Sequence, residues 1–281
     1  MKRFSPATVQ QVDYMLEKLL AFLQARGRAL QDTTADDLEA FRLSLVDHEF
    51  AAQSVARFME VARRFFGWLE ATQKIFLNPA AALVVKRPHR PILFVPTEEQ
   101  VKTLLAQPDV STPIGIRDRA FMETIYATGA RLGEAAAVSI FDPDLDRGLL
   151  RVMGKGRKER VVPLGKHAVH WLRQYLREAR QKLAGENIDE QALWLTREGR
   201  RAKALGTWQQ MLAEYARAAG LPRISPHALR RACATHMLQH GAHPVEIQFL
   251  LGHAGLNTLG QYLRVTITDL KKMHKASKPG H

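Results

Sequence analysis

Cysteine is almost missing from this 281-residue chain, with Cys233 its only example. One thiol excludes an internal disulfide and suits a reducing compartment. Its place inside a helical stretch suggests a small buried hydrophobe. The sequence also lacks an apolar run of membrane-spanning length. Its start, MKRFSPATVQQVDYML, has no signal-peptide core, so a cytoplasmic protein is expected. No repeat or low-complexity tract is present, and acidic residues are in deficit. There are 28 Asp+Glu against 41 Lys+Arg, a formal net charge of +13 at pH 7. That excess points to a polyanionic partner, most simply nucleic acid. It is unevenly placed: 13 Lys+Arg stand against 10 Asp+Glu up to Arg90, and 28 against 18 beyond it. An apolar share of 46% excludes a disordered chain and provides core for one large or two modest domains.

Apolar residues at three-and-four spacing (Val9, Val12, Leu16, Leu19, Leu20, Leu23) predict a helix over 7–26. A second follows Thr33 or Thr34, with acidic residues in its first turn, and SVARFMEVARRFFGWLEATQ predicts a third. Asn78-Pro79 is expected to open a short fourth, completing a small helical domain. Arg57, Arg63, Arg64 and Lys74 could touch backbone phosphates there, or simply line a solvated face. Next comes VVKRPHRPILFVPT, whose three prolines and four basic residues, Lys86 and Arg87 among them, predict an extended linker.

Thr97 to Gln100 reads as a capping box. The helix in IGIRDRAFMETIYATG should break at Gly129 and restart near Arg131, with Glu134 placed to pair with that arginine. Two β-rich runs, Leu149–Met153 and Arg160–Leu164, flank Gly154-Lys155-Gly156 and predict a hairpin with Lys155 at its tip, near Arg157 and Lys158. HAVHWLRQYLREARQKL predicts an amphipathic helix, ALWLTREGRR a short strand and turn, and LGTWQQMLAEYARAAG a helix closed by Gly220. The fold class is therefore mainly α with a small antiparallel β-sheet.

The stretch from Ser225 to Val265 holds most of the candidate chemistry. Ser225-Pro226 starts a helix whose opening N–H groups favour an anion, and His227 and Arg230 share one face of it. A further helix from Pro244 ends at Gly252, immediately before His253, with Tyr262 following. Two imidazoles, a guanidinium and a phenol suggest phosphoryl transfer with tyrosine as nucleophile. Tyr14, Tyr126, Tyr175 and Tyr215 are expected to pack, the first and last two without nearby partners. His236, His240 and His243 lack a convincing zinc-ligand pattern.

Taken in order, ATGARLGE, GKGRKERVVPLG, SPHALRR, LLGH and NTLGQY resemble the tyrosine recombinase (phage integrase) family, most closely its bacterial Xer-type members. The resemblance implies a two-domain, C-shaped clamp on duplex DNA. Its parts would be a helical core-binding (SAM-like) domain over 1–85, a basic linker over 86–96 and a catalytic domain over 97–281. A tail helix at about 266–277 would be exchanged with a neighbouring protomer.

Carried over residue by residue, the resemblance implies that Arg131 and Arg230 would grip the scissile phosphate, and that Tyr262 would attack it to leave a 3′-phosphotyrosyl intermediate on the way to a Holliday junction. By the same resemblance Lys155 would protonate the leaving oxygen, His227 would take or orient the nucleophile's proton, and His253 would bond the phosphate. Glu134 supports Arg131. Arg57, Arg63, Arg64, Lys86, Arg87, Arg157, Lys158 and Arg231 are candidate DNA contacts. No cofactor or metal is implied. The implied partners are a recombination site and either three further copies of the chain or a Xer-like hetero-partner. Arg231, Gly260 and Arg264 depart from the usual Xer pattern. A type IB topoisomerase-like activity and a catalytically silent DNA-binding role are the competing readings.

Overall fold

The computed structural model describes residues 6–85, 93–154, 159–187, 190–202 and 205–252, and the chain divides into two compact units, Met1–Pro91 and Ile92–His281. The first unit holds α1 (Pro6–Ala25), a short 3-10 turn, α2 (Ala35–Asp47) and α3 (Ala52–Ala71). Thr34 caps α2 reciprocally: its hydroxyl accepts from Asp37 N at 3.2 Å, and Asp37 accepts from Thr34 N at 3.1 Å. Leu19, Leu23, Leu38, Phe41, Phe58 and Phe66 fill the core between the helices.

The fourth helix expected after Asn78-Pro79 is not formed. Ala81 N and Leu83 N bond back three residues, to Asn78 O at 3.2 Å and Ala80 O at 3.1 Å, in successive turns. The Asn78 side chain accepts from Ala80 N at 2.9 Å, the bond an N-cap makes, yet the segment closes only single turns. The β-branched pair Val84-Val85 that follows does not favour continuation as a helix.

The second unit begins with α4 (Glu98–Leu105), α5 (Pro113–Thr128) and α6 (Leu132–Ala136). Strands β1 (Pro143–Asp144), β2 (Leu149–Met153) and β3 (Glu159–Pro163) then form an antiparallel sheet in that order. Leu150 faces Val162 and Val152 faces Arg160 across the β2–β3 pair. After the sheet come α7 (Lys166–Gln174), a π-helical turn at Tyr175–Ala179, α8 (Arg180–Ala184), α9 (Leu205–Ala218), α10 (Pro226–Gln239) and α11 (Pro244–Leu251).

Helix α5 is buried nearly all round, as a helix through the middle of a core must be. Phe121 stacks on Trp208 with ring centroids 3.7 Å apart and meets Trp194 edge-on at 5.1 Å. ALWLTREGRR makes isolated bridges, Ser139 to Ala192 and Leu195 to Arg201, rather than the expected strand. Side chains occupy its backbone instead: Arg180 Nε donates to Ala192 O at 3.2 Å, Tyr175 to Leu193 O at 2.9 Å and Arg117 to Leu195 O at 2.7 Å. Tyr175 thus has a partner, as does Tyr215, which donates to Asp118 at 3.0 Å; both were expected to lack one. Among the described residues, no helix is long and apolar enough to cross a membrane.

Candidate active site

Gly129 ends α5 in the left-handed conformation, at φ 57°, and Arg131 then becomes the N-cap of α6. Arginine has no acceptor with which to cap a helix. Glu134, at the third helical position, works in the reverse direction. Its Oε2 accepts from Arg131 N at 3.0 Å, while Arg131 Nη1 donates to Oε1 at 2.7 Å. A second arginine reaches the same carboxylate, with Arg160 Nη2 2.7 Å from Oε2. Burial by itself would raise the Glu134 pKa. Hydrogen bonds from Arg160, the Arg131 backbone and the Arg131 side chain outweigh it and hold the carboxyl at about 2.

The end of α11 is the other organising feature. Its last carbonyls carry the negative end of the helix dipole and have no partner within the helix. Three arginines supply partners to successive residues. Arg160 Nε donates to Leu250 O at 3.1 Å, Arg230 Nη2 to Leu251 O at 2.7 Å and Arg131 Nη2 to Gly252 O at 3.3 Å. Arg230 also donates through Nη1 to Gly129 O, so it joins the end of α5 to the end of α11. It is buried at 4% exposure, whereas the Arg131 side chain keeps 38%.

Helix α10 delivers His227 and Arg230. Ser225 caps it by accepting from Ala228 N at 3.2 Å, Pro226 takes the first helical position, and His227 follows. His227 is exposed at its helix start. Partial desolvation, then the charges of Arg230, Arg231 and Arg131, lower its pKa. The imidazole is therefore neutral at neutral pH and free to accept a proton. Arg231 turns elsewhere, donating through Nε and Nη2 to Phe94 O at 3.2 and 2.9 Å.

Of the residues singled out from sequence, Arg131, Glu134, His227 and Arg230 are thus brought to one place. Lys155, His253, Tyr262, Lys86, Arg87, Arg157, Lys158 and the tail over 266–277 lie outside the described residues. In the first unit, Arg57 is exposed on α3, and Arg63 and Arg64 pair with Glu60 at 2.9 and 3.1 Å. The three histidines tested for zinc are engaged in different ways. His236 Nδ1 lies 2.8 Å from the Tyr126 hydroxyl, His240 Nε2 lies 2.6 Å from Glu98, and the His243 ring caps α11.

Arg160 is the site residue that sequence reasoning passed over, placing it at the start of a strand in a basic hairpin. The available signal was its two-residue spacing from the buried Val162, which places both on the inward face of β3. Neighbouring Val161 is 61% exposed, and before the fold was known either valine could have been the inward one.

Two anchored guanidinium groups, one of them partly exposed, and a neutral imidazole at a helix start make an anion site suited to a phosphodiester. Residues 95–268 match the model of the phage integrase family, and residues 1–73 match that of the phage integrase N-terminal SAM-like domain. Tyrosine recombinase XerD of Neisseria meningitidis serogroup B is 38% identical over 265 residues, covering 94% of this chain and 89% of the relative. Tyrosine recombinase XerD of Shewanella oneidensis is 35% identical over 258 residues, covering 92% and 86%. Among solved structures, the XerH site-specific recombinase bound to a palindromic difH substrate superposes with a TM-score of 0.80. Its identity is 21%, over 97% of this chain and 80% of that one. The Tn1549 transposon integrase in complex with a circular intermediate DNA gives a TM-score of 0.75 at 16% identity, over 92% and 90%.

Proposed function

The chain belongs to the phage integrase family of site-specific tyrosine recombinases, and on that premise we propose that Arg131, Lys155, His227, Arg230, His253 and Tyr262 carry its DNA strand transfer. The observation that carries this assignment is the convergence of Arg131 and Arg230 on the adjacent carbonyls of Gly252 and Leu251, beside the helix start that bears His227. His253 is the next residue of the chain.

In this scheme the Tyr262 hydroxyl attacks the scissile phosphorus. Its proton passes to His227, whose lowered pKa keeps an acceptor available. The bond from phosphorus to the 5′-oxygen breaks, and Lys155 protonates that oxygen as it leaves. The products are a 3′-phosphotyrosyl enzyme and a free 5′-hydroxyl. Arg131, Arg230 and His253 bond the non-bridging oxygens, where negative charge accumulates in the transition state. A 5′-hydroxyl from the partner duplex then attacks the phosphotyrosine, and Tyr262 leaves with its proton restored. One phosphodiester replaces another, so neither ATP nor an attacking water is consumed.

The domains proposed are a helical core-binding domain over 1–85, a linker over 86–96 and a catalytic domain over 97–281, with a tail helix at about 266–277. The partners proposed are duplex DNA and other protomers, four around two duplexes, either identical or paired with a Xer-like second chain. The site of action proposed is the cytoplasm, on DNA. Relatives named as recombinases at 38% and 35% identity disfavour supercoil relaxation or a silent accessory role.

The test uses a duplex recovered by binding selection from a random-sequence library and nicked near the cleavage point, so that the released end diffuses away. Wild-type protein should form a denaturant-resistant adduct with this duplex, also in EDTA. Tyr262→Phe should bind the same duplex and form none; an adduct with that variant would refute the assignment.

A further inference from the structure

Arg160 sits on the inward face of β3, opposite Val152, with its side chain only 16% exposed. A charge in that position is costly unless it is paired and hydrogen-bonded. Its two partners come from elements far away in sequence: Glu134 on α6 and the Leu250 carbonyl at the end of α11. Room for the guanidinium depends on Gly252, where a Cβ would lie 3.1 Å from Arg160 Cζ, Nε and Nη1.

The consequence falls on Arg131. A guanidinium fork matches a carboxylate with two parallel hydrogen bonds, and a buried Glu134 facing one arginine alone would draw both. Here the fork is split. Arg131 gives Nη1 to Oε1 and turns Nη2 to Gly252 O, while Oε2 is taken by Arg160 and by the Arg131 backbone. Arg160 also offsets the Glu134 charge, which would otherwise cancel that of Arg131. We infer that Arg160 is a positioning residue of the strand-transfer site, holding Glu134 so that this carboxylate aims the Arg131 guanidinium without consuming it. Lysine cannot reproduce the arrangement, because Nε and Nη2 serve two elements in fixed directions.

This inference rests on the proposed role of Arg131, and wild-type adduct formation on the selected nicked duplex is its control. If wild-type protein forms no adduct, the functional assignment fails. If it does, Arg160→Met should slow single-turnover adduct formation at saturating protein by about tenfold or more, with the Kd for the duplex changed less than about threefold. In a Glu134→Gln chain, where there is no charge left to offset, the same substitution should cost less than about threefold, a non-additivity expected of residues acting through one another. Arg160→Lys should recover part of the rate. Equal slowing in both backgrounds, a loss of binding in place of rate, or no slowing at all would overturn the inference. If Arg160→Met does not fold by thermal melt, Arg160→Lys with and without Glu134→Gln makes the same comparison.

Discussion

Arg131 and Glu134 are joined twice at the start of α6, backbone N–H to Oε2 at 3.0 Å and Nη1 to Oε1 at 2.7 Å. One carboxylate therefore caps the helix and aims the side chain of the residue it caps. With Arg160 also bound, its folded pKa of about 2 lies below the ordinary 4.5. A depressed carboxyl pKa stabilises the fold above the unfolded value and stops doing so as pH falls through the folded one. Wild-type protein should exceed Glu134→Gln in stability by on the order of 2 kcal/mol at neutral pH, less than the bare shift because the exposed part of Arg131 is screened. Denaturant melts of both proteins should show the gap closing between pH 4.5 and about 2. A gap that stays constant down to the lowest pH would contradict the bridge.

His227 sets the second expectation. Partial desolvation and the charges of Arg230, Arg231 and Arg131 place its pKa below 6.5. The neutral, proton-accepting form exists above that pKa, so the rate of adduct formation should fall on the acid side with a midpoint under 6.5. Arg231→Gln removes one of the positive charges and should raise the midpoint. His227→Gln should abolish the limb and slow cleavage by about a hundredfold or more. An acid limb that survives in His227→Gln would assign it to another group.

Gly129 offers a test of how tightly the site is built. At φ +57° an alanine is strained, and its Cβ would meet Leu251 Cδ2 at 2.5 Å and Cys233 Sγ at 3.3 Å. Both neighbours belong to the elements that place Arg230. Gly220, at φ +65° with nothing within 4 Å, is the control, because alanine there meets the backbone strain alone. Gly129→Ala should cost about 1–3 kcal/mol and slow adduct formation, whereas Gly220→Ala should cost about 1 kcal/mol and leave the rate intact. Thermal unfolding and the nicked-duplex assay distinguish them, and equal behaviour of the two would mean that the close packing beneath Gly129 is unimportant.

What could be read in advance was local. Thr34, Thr97 and Ser225 start helices because each hydroxyl meets an amide three residues on, and Gly129 and Gly252 end them because a left-handed residue is needed. The Arg131–Glu134 pair follows the same three-residue spacing. Contacts across the fold were less legible. Arg160 reaches Glu134 from another element 26 residues away, Arg230 reaches Gly129 across 101, and Tyr215 reaches Asp118 across 97. No local rule relates such pairs, since packing of the finished unit brings them together. The misread strand at ALWLTREGRR has the same origin: side chains of Tyr175, Arg117 and Arg180 took backbone carbonyls that a strand would have used.

Cys233 reports on that packing from within. It is buried on α10, against the point where Gly129 approaches Leu251, with Met237 Sδ 4.0 Å away. Burial pushes its thiol up to about 12, an effect the nearby Arg230 only partly offsets. Only the thiolate alkylates, so native protein at mildly alkaline pH should resist iodoacetamide. Reaction then requires α10 to part from α5 and α11, the same opening that would release Arg230 from Gly129 O and Leu251 O. The labelling rate, followed by mass spectrometry, should therefore rise with denaturant along with the loss of adduct-forming activity, and Gly129→Ala should raise it without denaturant. The Gly220→Ala control should label like wild type. Rapid labelling of native wild-type protein with no loss of activity would show that the thiol is accessible while Arg230 stays in place, and would break the link between that packing and the site.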